Sequence, residues 1–210
     1  MTRDPKQDEF MARDVCLLVD AEDRVVGTAT KEQTHREALL HRAFSVLLFD
    51  PDSGRLLLQR RSQYKVTFPL LWANTCCSHP LDSVLENTTD SVLGVKRAAV
   101  RKLEHELGMV PEQLPLDGFV HVVRFAYCAH DKPYSENESL LLSVAFLFCW
   151  AFFSLFVVST VDYVLVFVGH VDVHVNKNEV DAVQWVDQDA LKKMLQNGLL
   201  SLFDFIGVLL

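Results

Sequence analysis

The chain's 210 residues give a full-sized domain with room for a sizeable core, and a formal net charge of −8 argues against a nucleic-acid binder, which would show a basic face. Its five cysteines are odd in number and irregular in spacing, with Cys76 and Cys77 adjacent, so they make no disulfide framework and point to a reducing compartment. The start MTRDPKQDEF has no apolar run for a secretory signal and too many acids for a transit peptide, which leaves a cytoplasmic location as the expectation.

In chain order, residues 1–13 read as a flexible, solvated tail and 14–210 as one domain. DVCLLVDAEDRVVGTATK reads as two short strands around an acidic turn at Glu22 and Asp23. RAFSVLLFDPDSGRLLLQRR reads as a hairpin, its two apolar runs split by the turn residues Asp-Pro-Asp-Ser-Gly. TFPLLWANTCCSHP is aromatic and closes on Pro80. From Gly94 to Gly108 the spacing predicts a helix. Val95, Ala99, Leu103 and Leu107 form its apolar stripe, Arg97, Arg101 and Glu104 share the opposite face, and Gly108 caps its end. GFVHVVRFAYCAH, VDYVLVFVGHVDV and VDAVQWVD read as strands, and DQDALKKMLQNG as a helix stopped by Gly198. Strands interrupted by one strong helix and closed by another indicate a mixed α+β domain.

Several groups carry potential chemistry. Cys76-Cys77-Ser78-His79 places a thiol beside an imidazole in a loop, suited to a nucleophile, a metal site or an acid/base pair; adjacent cysteines are as often buried apolar filler. Glu136 and Glu138 are two residues apart, so on a strand they share a face and repel unless a cation lies between them. With His35, His41 and His79 they would offer three imidazoles and two carboxylates, a set that suits a roughly octahedral Mn, Fe or Zn better than bare Mg. Glu106 lies at the border of the helix's apolar stripe, where a carboxylate can look into a cleft. Arg61 and Lys65 could clamp a phosphate, the one through bidentate contacts and the other as a point charge.

HRAFSVLLF, LLLQRRS, KVTFP, NTCCSHPL, GVKRAAVRKLEHELG and ENE occur in this order, and together they closely resemble the type I isopentenyl-diphosphate isomerases, a branch of the Nudix superfamily. RKLEHELGM is similar to a degenerate Nudix box in which Lys102 and His105 replace acids. That departure weakens the alternative of a Nudix-type diphosphate hydrolase, which needs those acids to hold several metal ions. The resemblance implies a single-domain Nudix-type mixed β-sheet sandwich with helices. It implies Cys77 and Glu138 as the acid/base pair, with Tyr127 lining the site beside Glu138. It implies a divalent metal (Mn, Zn or Mg) on His35, His41, His79, Glu136 and Glu138. Glu106 would help hold a Mg ion on the substrate diphosphate, which Arg61 and Lys65 would contact. Of these ligands His35 departs most, since only six positions separate it from His41 and the family's spacing is usually longer. The implied reaction converts isopentenyl diphosphate to dimethylallyl diphosphate. An unactivated alkene is protonated on one face and the resulting tertiary carbocation is deprotonated on the other, in a pocket that excludes water. The partner is a small diphosphate, with no nucleic acid; nothing in the resemblance fixes the oligomeric state.

Two departures stand out. Ser139 to Thr160 is an uncharged run that separates ENE from VDYVLVFVG; deleted in thought, it restores the family's pattern. Its length could span a bilayer, but Glu136, Glu138 and Asp162 flank it where basic residues would orient a membrane anchor. It therefore reads as an atypical insertion, with an inactive or membrane-tethered isomerase-like protein as the alternative. After the last helix the chain ends SLFDFIGVLL, with no tryptophan beyond Trp185; Phe203 and Phe205 are the only aromatic residues there to close the cavity. No peroxisomal address is seen.

Overall fold

The computed structural model describes residues 5–66, 68–131 and 156–197. The elements run α1 (Pro5–Arg13), β1 (Val15–Val19), β2 (Val25–Thr30), α2 (Lys31–Arg36), β3 (His41–Phe49), β4 (Leu56–Arg61), β5 (Trp72–Ala73), β6 (Cys76–Ser78), α3 (Ser91–Leu107), β7 (Phe119–Asp131), β8 (Phe156–Val168), β9 (Val180–Val186) and α4 (Gln188–Gln196). Nine strands form one mixed sheet, with β3 as its hub. It pairs with β1, β4 and β6 antiparallel and with β8 in parallel, while β7 extends the sheet beyond β8 and β9 lies against β4.

Alternation along β3 sorts its side chains onto two faces. Phe44, Val46 and Leu48 pack under α3 with Leu57, Cys76, Leu103, Leu107, Tyr163 and Leu165. Leu47 faces the other way, into a smaller cluster with Leu58, Val164, Val186 and Leu191 of α4. The apolar stripe predicted for α3 is fully buried; the helix starts at Ser91, three residues before the expected Gly94, and ends at the Gly108 cap read from the sequence. Asp90 caps the start by accepting the Leu93 N–H at 3.0 Å, and Gly108 ends the helix in the left-handed region at φ 61°. A Cβ at Gly94 would lie 2.1 Å from the Glu86 carbonyl, so the glycine is what lets α3 approach the loop behind the site.

Two expectations are corrected. Residues 5–13 are not a tail: they form α1, which buries Gln7 and Met11. β3 and β4 do pair antiparallel across the Asp50–Arg55 turn, through Phe49–Leu56, while β3 spends most of its hydrogen bonds on β6 and β8, and β4 on β5 and β9. The strand expected from Val161 begins at Phe156, so the last residues of the apolar insertion belong to β8. Gly198, Phe203, Phe205 and most of the insertion lie outside the described residues, as do Glu136 and Glu138. No helix among the described residues is long and apolar enough to cross a membrane.

Candidate active site

The three histidines converge although they come from three different elements. His35 sits in the last turn of α2, His41 opens β3, and His79 follows β6. Their ring centroids lie 4.7–5.4 Å apart, and one nitrogen from each falls within 4.8 Å of the others. The short spacing between His35 and His41 is achieved by a tight reversal. Ala38 adopts φ 53°, and the Leu39 N–H reaches back 3.0 Å to the Thr34 carbonyl, an αL helix end built without glycine. His41 donates from Nδ1 to the Leu39 carbonyl at 2.8 Å, which fixes its tautomer and leaves Nε2 as the lone-pair nitrogen. His35 Nε2 lies 3.5 Å from His79 Nε2. Burial lowers the pKa of both, His35 to about 2 with help from Lys31, His41 and Arg61, and His79 well below the usual value with help from the two neighbouring histidines. Both rings are therefore neutral at physiological pH and can offer lone pairs.

His79 is held from behind. Arg101 of α3 makes a bidentate pair with Glu86 at 2.6 and 3.0 Å, and its Nη2 also donates to the His79 carbonyl at 3.1 Å. Glu86 in turn accepts the Leu81 N–H at 2.8 Å. Arg101 is thus not the free solvent-facing charge of the helical projection.

The two adjacent cysteines take different faces of the sheet. Cys76 is fully buried under α3, donates its thiol to Glu106 at 3.5 Å, and has its pKa raised well above normal by burial and by the Glu106 charge. Such a thiol is inert. Cys77 pairs with Ser45, so it shares the other face with Ser45, His41 and His79. In the same face Ser45 donates to Asp162 at 2.9 Å. The backbone of Tyr127 lies opposite Thr160, and Thr160 lies beside His41, which puts the three residues in one row across β7, β8 and β3.

On the α3 side, Glu106 is brought together with Lys65. It accepts from Gln59 at 3.0 Å and pairs with Lys65 at 3.4 Å and Lys102 at 3.2 Å; Glu179 shares the same two lysines at 2.6 and 3.7 Å. Burial alone would raise both carboxyls, but Lys102 and Lys65 outweigh it, holding Glu179 at about 2 and Glu106 below the normal carboxylate range. Arg61 anchors its own loop by donating to the Phe68 carbonyl at 3.2 Å. A cavity of about 460 Å³ opens beside these groups, lined by Lys31, Lys65, Arg101, Lys102 and Glu179 and roofed by α1. Burial foremost, then Lys65 and Lys102, depress the Lys31 pKa to about 8. Lys31 and His35 stand four residues apart on α2, so one short helix joins the cationic cavity to the histidine cluster.

The sequence reading missed Lys31, Glu86, Glu179 and Asp162. A lysine at a helix start, the loop acids Glu86 and Glu179 and a single acid within a strand, Asp162, carry no spacing signal; only the fold brings them to the site.

The sheet with α3 across it and a basic cavity at the helix's side defines a NUDIX domain, whose family model matches residues 39–204. Among solved structures, a Deinococcus radiodurans protein superposes with TM-score 0.60 at 17% identity, covering 90% of this chain and 92% of that one, which shows the fold. Among curated relatives, the isopentenyl-diphosphate delta-isomerase of Gibberella zeae is 41% identical over 193 residues, 88% of this chain and 67% of that protein. The chloroplastic isopentenyl-diphosphate Delta-isomerase I of Arabidopsis thaliana is 42% identical over 200 residues, 92% of this chain but 61% of that protein. The Schizosaccharomyces pombe isopentenyl-diphosphate delta-isomerase is 39% identical, with 89% and 76% covered. The chain belongs to the isopentenyl-diphosphate delta-isomerase family of the NUDIX superfamily.

Proposed function

We propose that the protein isomerises isopentenyl diphosphate to dimethylallyl diphosphate. The observation that carries this reading is the arrangement of Cys77 and the histidine cluster on one sheet face, with α2 leading from them to a cationic cavity, in a chain about 40% identical to delta-isomerases. Lys31, Lys65 and Arg61 draw in the diphosphate, which a protein of net charge −8 can bind only where its pocket is locally basic. Cys77 serves one face of the C5 unit. The second acid/base group of the reading is Glu138, with Tyr127 beside it; both the glutamate and Glu136 lie outside the described residues. Glu106 and Glu179 are the carboxylates fitted to a Mg ion arriving with the diphosphate. The buried, converging imidazoles of His35, His41 and His79 fit a divalent transition metal, whose charge would favour an ionised carboxylate nearby. Cys16, Cys76 and Cys77 form no disulfide, in keeping with a cytoplasmic setting.

The hydrolase alternative is disfavoured by Lys102, whose ammonium sits 3.2 Å from Glu106 where a hydrolase would gather further acids. Incubating the purified chain with isopentenyl diphosphate and Mg, and separating the products, tests the reading. Dimethylallyl diphosphate is the expected product; released phosphate without isomer would overturn the isomerase assignment in favour of the hydrolase.

A further inference from the structure

The proposed chemistry leaves one buried acid on the Cys77 face unused. Asp162 lies in the middle of β8, 1% exposed, between Ala43 of β3 and Phe125 of β7, neither of which carries charge. Its Oδ2 accepts the Ser45 hydroxyl at 2.9 Å, and its Oδ1 is buried with no partner among the described residues. Ser45, 3% exposed, is the residue directly opposite Cys77 in the β3–β6 ladder. Directly opposed residues of an antiparallel pair hold their Cβ atoms about 4.5–5.5 Å apart on one face. Carboxyl, hydroxyl and thiol therefore stand in a row across β8, β3 and β6.

We propose that Asp162 is the proton store of Cys77, exchanging a proton with it through the Ser45 hydroxyl between turnovers. The inference rests on the isomerase reading and adds to it two positioning residues, Ser45 and Asp162, which act on the substrate through Cys77.

Three considerations carry it. The first is proton balance. Moving the double bond adds one proton to the alkene and removes another, so substrate and product hold the same number. Cys77, serving one face, still ends each turnover with a proton gained or lost. The second is water. A pocket that shelters a tertiary carbocation keeps out the solvent that would otherwise reset the thiol, so while the pocket is closed a group of the protein has to do it. The third is Ser45. A hydroxyl has one proton and two lone pairs, and it rotates to suit its neighbours. Against an ionised Asp162 it donates to the carboxylate and turns a lone pair to the thiol. Against a protonated Asp162 it accepts from the carboxyl and is free to donate to a thiolate.

After Cys77 has protonated the alkene, the Ser45 hydroxyl proton moves to sulfur as the Asp162 carboxyl proton moves to the Ser45 oxygen. An S–H and an O–H bond form, two O–H bonds break, and the negative charge passes from sulfur to the carboxylate. After Cys77 has deprotonated the cation, the same steps run backwards. The store equilibrates with solvent when product leaves. Burial with a single hydroxyl for a partner raises Asp162 to about 7, so both of its forms are within reach near neutrality.

The test compares the first turnover with the steady state. Full-length enzyme with its divalent metals is mixed with excess isopentenyl diphosphate, and dimethylallyl diphosphate is followed by quenched flow. Asp162→Asn keeps an acceptor for Ser45 but has no carboxyl proton to lend; Ser45→Ala cuts the row and keeps Asp162. The parent should form product linearly. Each variant should give a burst of about one equivalent per site, then a steady rate lower by about tenfold or more. The double variant should be no slower than the slower single one, as for residues that act as a unit. A steady rate equal to the parent's in a folded variant would overturn the proposal. So would a first turnover that falls in step with the steady rate, which is what a purely structural role gives. If Asp162→Asn does not fold, Ser45→Ala carries the same comparison. A parent chain that forms no dimethylallyl diphosphate would instead overturn the isomerase reading, so the two failures are told apart.

Discussion

Ser45 hydrogen-bonds Asp162 at 2.9 Å, diagonally across the β3–β8 ladder, on the sheet face that carries Cys77. Both residues are buried, and the other carboxylate oxygen of Asp162 has no partner among the described residues. One hydroxyl does not compensate for lost water, so burial raises the Asp162 pKa to about 7. A carboxyl whose folded pKa exceeds its unfolded value binds its proton more tightly in the native state. Its contribution is fully present below about pH 4 and is lost as pH rises through about 7. Asp162→Asn, measured by chemical denaturation in chelator, should therefore be more stable than the parent at pH 7.5, by at most about 4 kcal/mol, and should approach it near pH 4. A variant less stable than the parent at both pH values would show that the ionised carboxylate is needed.

The histidines act with the opposite sign. Their folded pKa values lie below the unfolded value, so they contribute stability above about pH 6.5 that is lost as pH falls, while the unfolded chain takes up protons the native core refuses. Between pH 5 and 6.5 two histidine protons oppose the single Asp162 proton. Metal-free protein should gain stability as pH rises across this window. In His35→Asn/His79→Asn double variants that slope should vanish or reverse, because only the Asp162 contribution is left. An unchanged slope in the double variant would mean the imidazoles are protonated in the fold.

Much of this architecture could be read before the fold was known, and the parts that could not share a physical cause. The α3 stripe, its Gly108 cap and the short strands follow from local periodicity and turn chemistry, which act over a few residues. The separation of Cys76 from Cys77 also follows from strand alternation, once β6 is known to pair with β3. What escaped is non-local. The hub role of β3, the helix in residues 5–13, and the gathering of Lys31, Glu86 and Glu179 are set by pairings between distant segments. The register of β8 escaped for a second reason: FVVST suits a strand as well as YSENE does, so composition alone does not reveal which segment occupies the place beside His41.

Arg101 ties α3 to the histidine cluster through its bonds to Glu86 and the His79 carbonyl. Arg101→Met keeps the aliphatic stem and removes the fork. It should weaken zinc binding by about 10–100-fold, as loss of a ligand-orienting partner does, while far-UV dichroism stays native. Arg101→Lys should not restore affinity, since one ammonium cannot hold Glu86 bidentately and the carbonyl as well. Full rescue by lysine would mean that charge alone matters at this position.

Lys31 predicts how anion binding varies with pH. Burial, with Lys65 and Lys102 beside it, lowers its pKa to about 8, so inorganic pyrophosphate should meet a fully charged pocket only below that value. Affinity measured by calorimetry should fall as pH rises from 7 to 9. In Lys31→Arg the pH dependence should flatten, because the guanidinium stays charged throughout. Lys31→Met should bind weakly at every pH; tight binding by this variant would exclude Lys31 from the anion site.

Ala38 offers a test of the reversal that joins α2 to β3. At φ 53° an alanine Cβ crowds its own carbonyl, at a cost of about 1–2 kcal/mol that glycine does not bear. Glycine gives back part of that gain through its greater freedom in the unfolded chain. Ala38→Gly should therefore stabilise the protein by about 0.5–1 kcal/mol, seen as a higher denaturation midpoint with an unchanged denaturant slope. Zinc affinity should hold, since the backbone path from His35 to His41 is the same. Ala38→Val should do the reverse in both respects, because a branched Cβ is the least tolerant of this conformation and relaxation of the turn would carry His35 away from His79. If valine lowered stability yet left zinc affinity intact, the turn would not be what sets the spacing of the two histidines.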